Sequence, residues 1–234
     1  MYNIIGTNYI TEELNDDISL QGLIVGSKKS LIIDAGSSMT LAEKFLTDSN
    51  PLVNDTKLLL MITHHHDDHI AGIPHYKIPI YLNQRTQEII NLPKARIFKN
   101  KKQIDLGDRV VTLMHVENPH TVDGTIVYDP KDKVVYLGDT IYAVLKNDKA
   151  SRDPNKALKL IKAVSKLDAA YYVIFHDGIM KKETMDRYFN TVKTAIKLSL
   201  VSTNWEKAKA YYIKKYKQEP SDSIKRIYDS VLNV

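Results

Sequence analysis

One stretch constrains this chain more than any other. Leu58-Leu59-Leu60-Met61-Ile62-Thr63 is an apolar run that passes directly into His64-His65-His66-Asp67-Asp68-His69. An apolar run of this length, rich in aliphatic side chains and stopped by polar residues, reads as a strand buried on both faces. Such strands belong to layered α/β proteins, in which helices cover the sheet. Residues i and i+2 leave a strand end on the same side, so His64 and His66 face one way and His65 the other, as a supporting or buried hydrogen-bonding residue. Asp68 and His69 follow around the turn. Imidazoles and carboxylates gathered at a rigid strand end are ligands for cations.

Composition narrows the chemistry. The chain has 234 residues and no cysteine, which excludes a disulfide scaffold, a zinc ribbon, a thiol nucleophile and any thiolate ligand. Any metal here is held by nitrogen and oxygen. The length fits one large domain or one and a half. No apolar run approaches the roughly 18 residues of a spanning helix, and residues 1–7 show no basic-then-apolar leader pattern, so a cytoplasmic protein with no membrane partner is expected. The net charge of +5 is uneven: from Lys181 onward there are 12 Lys/Arg against 6 Asp/Glu. That excess reads as the solvated face of helices, and it would favour an anionic substrate if some of it borders a site.

Up to residue 180 the chain alternates short apolar runs with turn residues. The runs predict strands over 2–6, 22–25, 30–33, 57–63, 80–82, 96–98, 109–115, 125–129, 133–137 and 170–175, with a hairpin at Asp129-Pro130-Lys131-Asp132. Helices are expected over 40–47, 85–91 and 154–167. The last has Asp153 as cap, Pro154 in the first turn, and an apolar face of Leu158, Ile161, Val164 and Leu167. Beyond 181 the pattern is helical throughout, with segments through 185–199, 204–216 and 221–232. The expected organisation is therefore a mixed α/β domain over 1–180 and a helical subdomain over 181–234 packed on it.

Further polar clusters follow other predicted strands. They are His120-Thr121 with Gly124, Gly138-Asp139-Thr140 after the strand 133–137, His176-Asp177-Gly178 after 170–175, and Asp34-Ala35-Gly36 after 30–33. With His64-x-His66-x-Asp68-His69, these motifs in this order resemble the metallo-β-lactamase-fold hydrolases over residues from about 20 to 180. The resemblance implies a four-layer αββα sandwich with the site along one edge. It implies a first metal held by His64, His66 and His120, and a second held by Asp68, His69 and His176. Asp139 would bridge the two, and Asp34 would support the ligand loop. Two positions depart from the family pattern, Pro119 and Phe175, where glycine usually precedes the second-motif and last histidines. The missing cysteine ligand, with Asp68 present, is similar to the glyoxalase II, lactonase and phosphodiesterase side of the family.

The implied cofactors are two divalent ions, zinc first, with iron or manganese compatible. They would lower the pKa of a bound water toward roughly 7 and polarise the oxygen under attack, with Asp68 as the catalytic carboxylate that orients the water. The reaction expected is hydrolysis of an ester, thioester, lactone or phosphodiester in a small-molecule substrate. Two other classes stay open, an iron-dependent oxidoreductase and a metal-bound binding protein without turnover. Nucleic acid is disfavoured as a partner, because the segment between Asp139 and His176 has no room for a clamp domain. His75 and His115 read as ordinary residues. Tyr142, three residues beyond Asp139, reads either as a substrate-contacting phenol or as a rim tyrosine.

Overall fold

The computed structural model describes residues 2–11, 20–53, 55–141 and 153–232. Two sheets lie face to face. The first has seven strands in chain order: β1 (Tyr2–Ile5), β2 (Asn8–Thr11), β3 (Gly22–Val25), β4 (Lys29–Ile33), β5 (Lys57–Met61), β6 (Ile80–Asn83) and β7 (Arg96–Phe98). Strands β1 to β4 run antiparallel, and β4 to β7 run parallel. Helix α1 (Met39–Val53) makes the crossover from β4 to β5 that a parallel pair requires. The second sheet contains β8 (Lys101–Asp105), β9 (Val110–His115), β10 (Thr125–Asp129), β11 (Val134–Gly138), β12 (Tyr171–Ile174) and β13 (Gly178–Lys181). Its spatial order is β13-β12-β11-β10-β9-β8. Only β11 and β12 pair in parallel, joined through helix α4 (Pro154–Val164). Two short helices, α2 (Asp67–Ile70) and α3 (Gln84–Ile90), sit on the first-sheet side.

Side-chain alternation divides the interior into three apolar layers. Leu31, Ile33, Leu59 and Met61 point between the sheets, where they meet Val111, Leu113, Val127, Val134, Tyr136 and Val173. Their neighbours Ile32, Leu60 and Ile62 point outward against Ala42 and Phe45 of α1. On the second sheet, Val135 and Leu137 face outward onto α4 and the C-terminal helices α5 (Lys182–Val201), α6 (Trp205–Tyr216) and α7 (Asp222–Leu232). Strands covered on both faces must be apolar at every position, which is why 58–62 reads as an unbroken run. The layers are helix, sheet, sheet, helix, as the motif order implied.

The tail does not form a separate core. Met185, Phe189, Val192, Ala195 and Ile196 of α5 belong to the same apolar cluster as Tyr172 and Ile174 of β12. Among the described residues, no helix is long and apolar enough to cross a membrane.

Three strands escape the sequence reading: β2, β8 and β13. Strand β8 is an edge strand that buries only Ile104 of its five residues, and β13 is an edge strand with nothing fully buried. Neither has an apolar face to be read. Strand β2 hides behind the turn at Gly6-Thr7, where Gly6 has φ +58°. Helix α1 is also longer than expected, running on through Pro51. In α4 the buried residues are Ala157, Leu160, Ile161 and Val164, while Leu158 and Leu167 are half-buried, so the inward face is rotated from the one expected and the helix ends at Val164. The Asp153 cap is present, accepting from the Lys156 N–H at 3.1 Å. The predicted hairpin joins β10 to β11, with Asp129 opposite Val134. Tyr142 and residues 143–152 lie outside the described residues.

Candidate metal centre

The seven residues of the sequence motifs come together at one edge of the two sheets. His64, His66 and His120 offer ligand atoms within 4.8 Å of one another, and so do Asp68, His69, Asp139 and His176. His64 and His66 follow β5, Asp68 and His69 lie in α2, His120 precedes β10, Asp139 follows β11, and His176 follows β12. Each of these side chains thus hangs from a strand end or the turn beside it, and the two sheets contribute to both clusters.

Asp139 stands between them. Its Oδ2 lies 3.3 Å from His69 Nε2, 3.1 Å from His176 Nε2, 3.6 Å from His120 Nε2 and 3.9 Å from His64 Nε2. His66 closes the first cluster through Nδ1, 3.1 Å from His120 Nε2. Asp68 Oδ2 closes the second, 3.2 Å from His69 Nε2 and 3.0 Å from His176 Nε2. The backbone before Asp139 has to come close to the other sheet: a Cβ on Gly138 would lie 2.9 Å from Thr63 Oγ1, and its φ is +53°. Only glycine satisfies both conditions without strain.

Donor chemistry and hydrogen bonding fit a cation. His64 Nε2 and Asp139 Oδ1 are buried without a hydrogen-bond partner among the described residues. Leaving such atoms unsatisfied costs roughly 1–3 kcal/mol each. Cations held by the clusters would satisfy both, and six nitrogen and oxygen donors plus a shared carboxylate fit two divalent ions.

One buried carboxylate orients ligands of both clusters. Asp34, fully buried and held at φ +64°, accepts from His69 Nδ1, the Thr63 N–H and the Thr63 hydroxyl, each at 2.6 Å. The Thr63 hydroxyl donates its proton to Asp34, so it accepts from His64 Nδ1, 3.1 Å away. In their neutral form both imidazoles are thereby held with the proton on Nδ1 and the Nε2 lone pair facing the centre. The support expected of Asp34 is present and reaches further than His69.

Electrostatics separates the two clusters. Burial holds His64 and His66 below the ordinary histidine value and His120 down to about 4, so these three are neutral and ready to coordinate at pH 7. Burial also opposes protonation of His69 and His176, but the carboxylates around them outweigh it. Asp34 and Asp139 hold His69 well above its usual range, and Asp139 and Asp68 bring His176 up to about 9. Burial acts against ionisation of Asp68 and Asp139 too, yet His176 and His69 hold both well below the usual carboxylate range. Asp68 is therefore an anion at neutral pH.

The remaining residues of the motifs support the loops. His65 turns away from the centre, its Nδ1 3.0 Å from Asp123 Oδ1, while Asp123 Oδ2 accepts from the Thr86 hydroxyl. His115 donates from Nδ1 to the Gly124 carbonyl. Phe175, one of the two departures from the family pattern, stacks on His69 with ring planes 7° apart. Asn118, missed in the sequence, accepts from the N–H groups of His120 and Thr121 at 2.9 and 3.0 Å and donates to the Val116 carbonyl. The Asn-Pro pair at 118–119 is a turn former whose side chain bonds its own backbone two residues on, and it is the signal that could have found this role.

A two-sheet sandwich with paired histidine and aspartate clusters at one edge defines a class of metal-site α/β proteins. The Metallo-beta-lactamase superfamily model matches residues 14–176, and the chain belongs to that superfamily. It is 24% identical over 159 residues to the acyl-coenzyme A thioesterase MBLAC2 of Gallus gallus, covering 51% of this chain and 56% of that protein. It is 30% identical over 123 residues to the type 2 metallo-beta-lactamase of Elizabethkingia meningoseptica, covering 49% of each. The chain thus spans about half the length of these curated relatives. Among solved structures, a metallo-beta-lactamase from Pontibacter korlensis superposes with TM-score 0.65 at 18% identity, covering 82% of this chain and 97% of that one. A peroxy diiron species of the chemotaxis sensor ODP superposes with TM-score 0.63 at 16% identity, covering 79% and 93%. These structural likenesses show the fold.

Proposed function

We propose that this chain is a binuclear metal-dependent hydrolase acting on an ester, thioester, lactone or phosphodiester bond. The observation that carries the reading is the position of Asp139 Oδ2, between 3.1 and 3.9 Å from an imidazole nitrogen of His64, His69, His120 and His176. A single carboxylate oxygen shared by two clusters is what a bridging ligand requires. His64, His66 and His120 would hold one ion, Asp68, His69 and His176 the other, and Asp139 both. The ions would supply a water ionised near neutral pH and a Lewis acid for the substrate oxygen.

The chain's own groups do the rest. Asp68, an anion with its side chain 30% exposed, is the acid of the centre that solvent and substrate can reach. It is placed to accept a hydrogen bond from the attacking water and to orient it. Asp34 and Thr63 keep His69 and His64 from rotating out of register as charge develops. The hydrolase names of the curated relatives support the reaction class, and zinc is the metal we expect in a cysteine-free set of imidazoles and carboxylates. Iron suits the same donors, and one structural neighbour is a diiron protein. An iron-dependent oxidoreductase is accordingly the second reading.

One preparation decides between them. Metal analysis of purified protein is combined with thioester, lactone, ester and phosphodiester substrates. About two zinc per chain with turnover of one class supports the hydrolase. A coloured, iron-loaded protein inert toward the whole panel supports the oxidoreductase.

A further inference from the structure

A cavity of about 300 Å³ opens on the outer flank of the first sheet, between the segment 73–80 and the turn at 92–95. It contains none of the seven residues of the metal centre. Its walls are aliphatic and prolyl: Ile73, Ile78, Ile80 and Leu92, with Pro74, Pro79, Pro93 and Ala95 around them. Two cations, Lys77 and Lys94, complete the lining. Both are exposed, and neither has an acidic partner within 4 Å among the described residues. Lys77 donates one of its three protons to the Pro74 carbonyl and keeps two for a ligand. The inner wall is Tyr76, buried, with its hydroxyl accepting from Gln21 Nε2 at 3.1 Å. That bond orients the ring.

The turn that carries Lys94 is informative. Pro93 and Lys94 occupy its centre, and Lys94 has φ +63°, the position of a type II turn that ordinarily takes glycine or asparagine. A lysine held there is strained by roughly 1 kcal/mol relative to glycine. Lys94 contributes a cation to the lining, where a glycine would leave none.

We propose that this cavity binds a small apolar monocarboxylate, its hydrocarbon part among Ile73, Ile78, Ile80 and Leu92 and its carboxylate between Lys77 and Lys94. The volume lies at the small end of ligand sites. The two ammonium groups favour an anion over a dication.

The test uses the metal-loaded full chain and sodium octanoate as probe, with 1-octanol as the uncharged analogue, followed by calorimetric titration. Octanoate is expected to bind one site more tightly than octanol. Lys77→Gln and Lys94→Gly are each expected to weaken octanoate about threefold, and together about tenfold, as for exposed charge pairs, while leaving octanol unchanged. Lys94→Gly is also expected to raise Tm by about 2 °C, because it relieves the left-handed backbone, and to leave turnover at the metal centre unaltered. Ala95→Trp, which fills the cavity, is expected to abolish binding of both probes. Octanoate binding that ignores both lysines would place the carboxylate at the metal ions and overturn the proposal. Octanol binding as tightly as octanoate, or no binding by a folded protein at millimolar probe, would overturn it equally. None of these outcomes depends on whether the metal centre hydrolyses anything.

Discussion

Replacing Asp34 with Asn tests how the centre is held together. Asparagine keeps the shape and tolerates the left-handed backbone at φ +64°, so the change isolates charge and donor pattern. The carboxylate receives three donors at 2.6 Å, from the Thr63 N–H, the Thr63 hydroxyl and His69 Nδ1. An amide offers one acceptor and one donor group. If its NH₂ replaces Oδ2, it confronts His69 Nδ1–H; if it replaces Oδ1, it confronts the Thr63 N–H. Relief in the first case moves the His69 proton to Nε2, the atom facing Asp139 and Asp68, and removes the lone pair a metal needs. A hydrogen bond to a charged group contributes about 1.5–3 kcal/mol, and losing an outer partner of a ligating histidine weakens metal binding about 10- to 100-fold. Chelator-competition titration of both sites should therefore show the second site weakened by that factor. The first, reached only through Thr63, should weaken less. Unchanged affinity at the second site, or a selective loss at the first, would refute the argument.

Five further outcomes follow from the structure. Asp139→Asn removes the charge shared by both clusters, so metal analysis should find close to one ion per chain, with turnover lost and the far-ultraviolet circular dichroism retained. Metal uptake at pH 7 should release about two protons, since His69 and His176 are protonated without metal while His64, His66 and His120 are not; titration in buffers of different ionisation enthalpy measures this. Because His176 is raised, the stability its proton confers on the metal-free protein should be full below about 6.5 and lost as pH climbs through about 9, which Tm against pH would reveal. Gly124→Ala would put a Cβ 2.1 Å from Asn118 Nδ2, displacing the side chain that holds His120, so first-site affinity should fall with little change in the second. Deleting residues 182–234 should expose the outer face of β11 and β12 and cause aggregation, measured by light scattering, because α5 fills that face with Met185, Phe189 and Val192.

The sequence alone determined the parts that rest on local rules. A strand buried on both faces has to be apolar at every position, so 58–62 declared itself, and the residues hanging from its end are confined to one side by the period of two. His64 and His66 were legible for that reason, Asp68 and His69 because they follow at once around the turn, and His120, Asp139 and His176 became legible because each follows a run or precedes one in the family's order. Capping and hairpin chemistry at Asp153 and 129–132 is equally local. What depended on distance in the chain could only come from the fold. Edge strands such as β8 have no apolar face to betray them, and the inward face of α4 is chosen by the sheet it lies on. That Asp34 serves His64 through Thr63, that Phe175 stacks on His69, and that one oxygen of Asp139 stands between two clusters are facts of packing between two sheets. No residue spacing encodes them, because the atoms involved are brought together by the layers they project from and not by their neighbours in sequence.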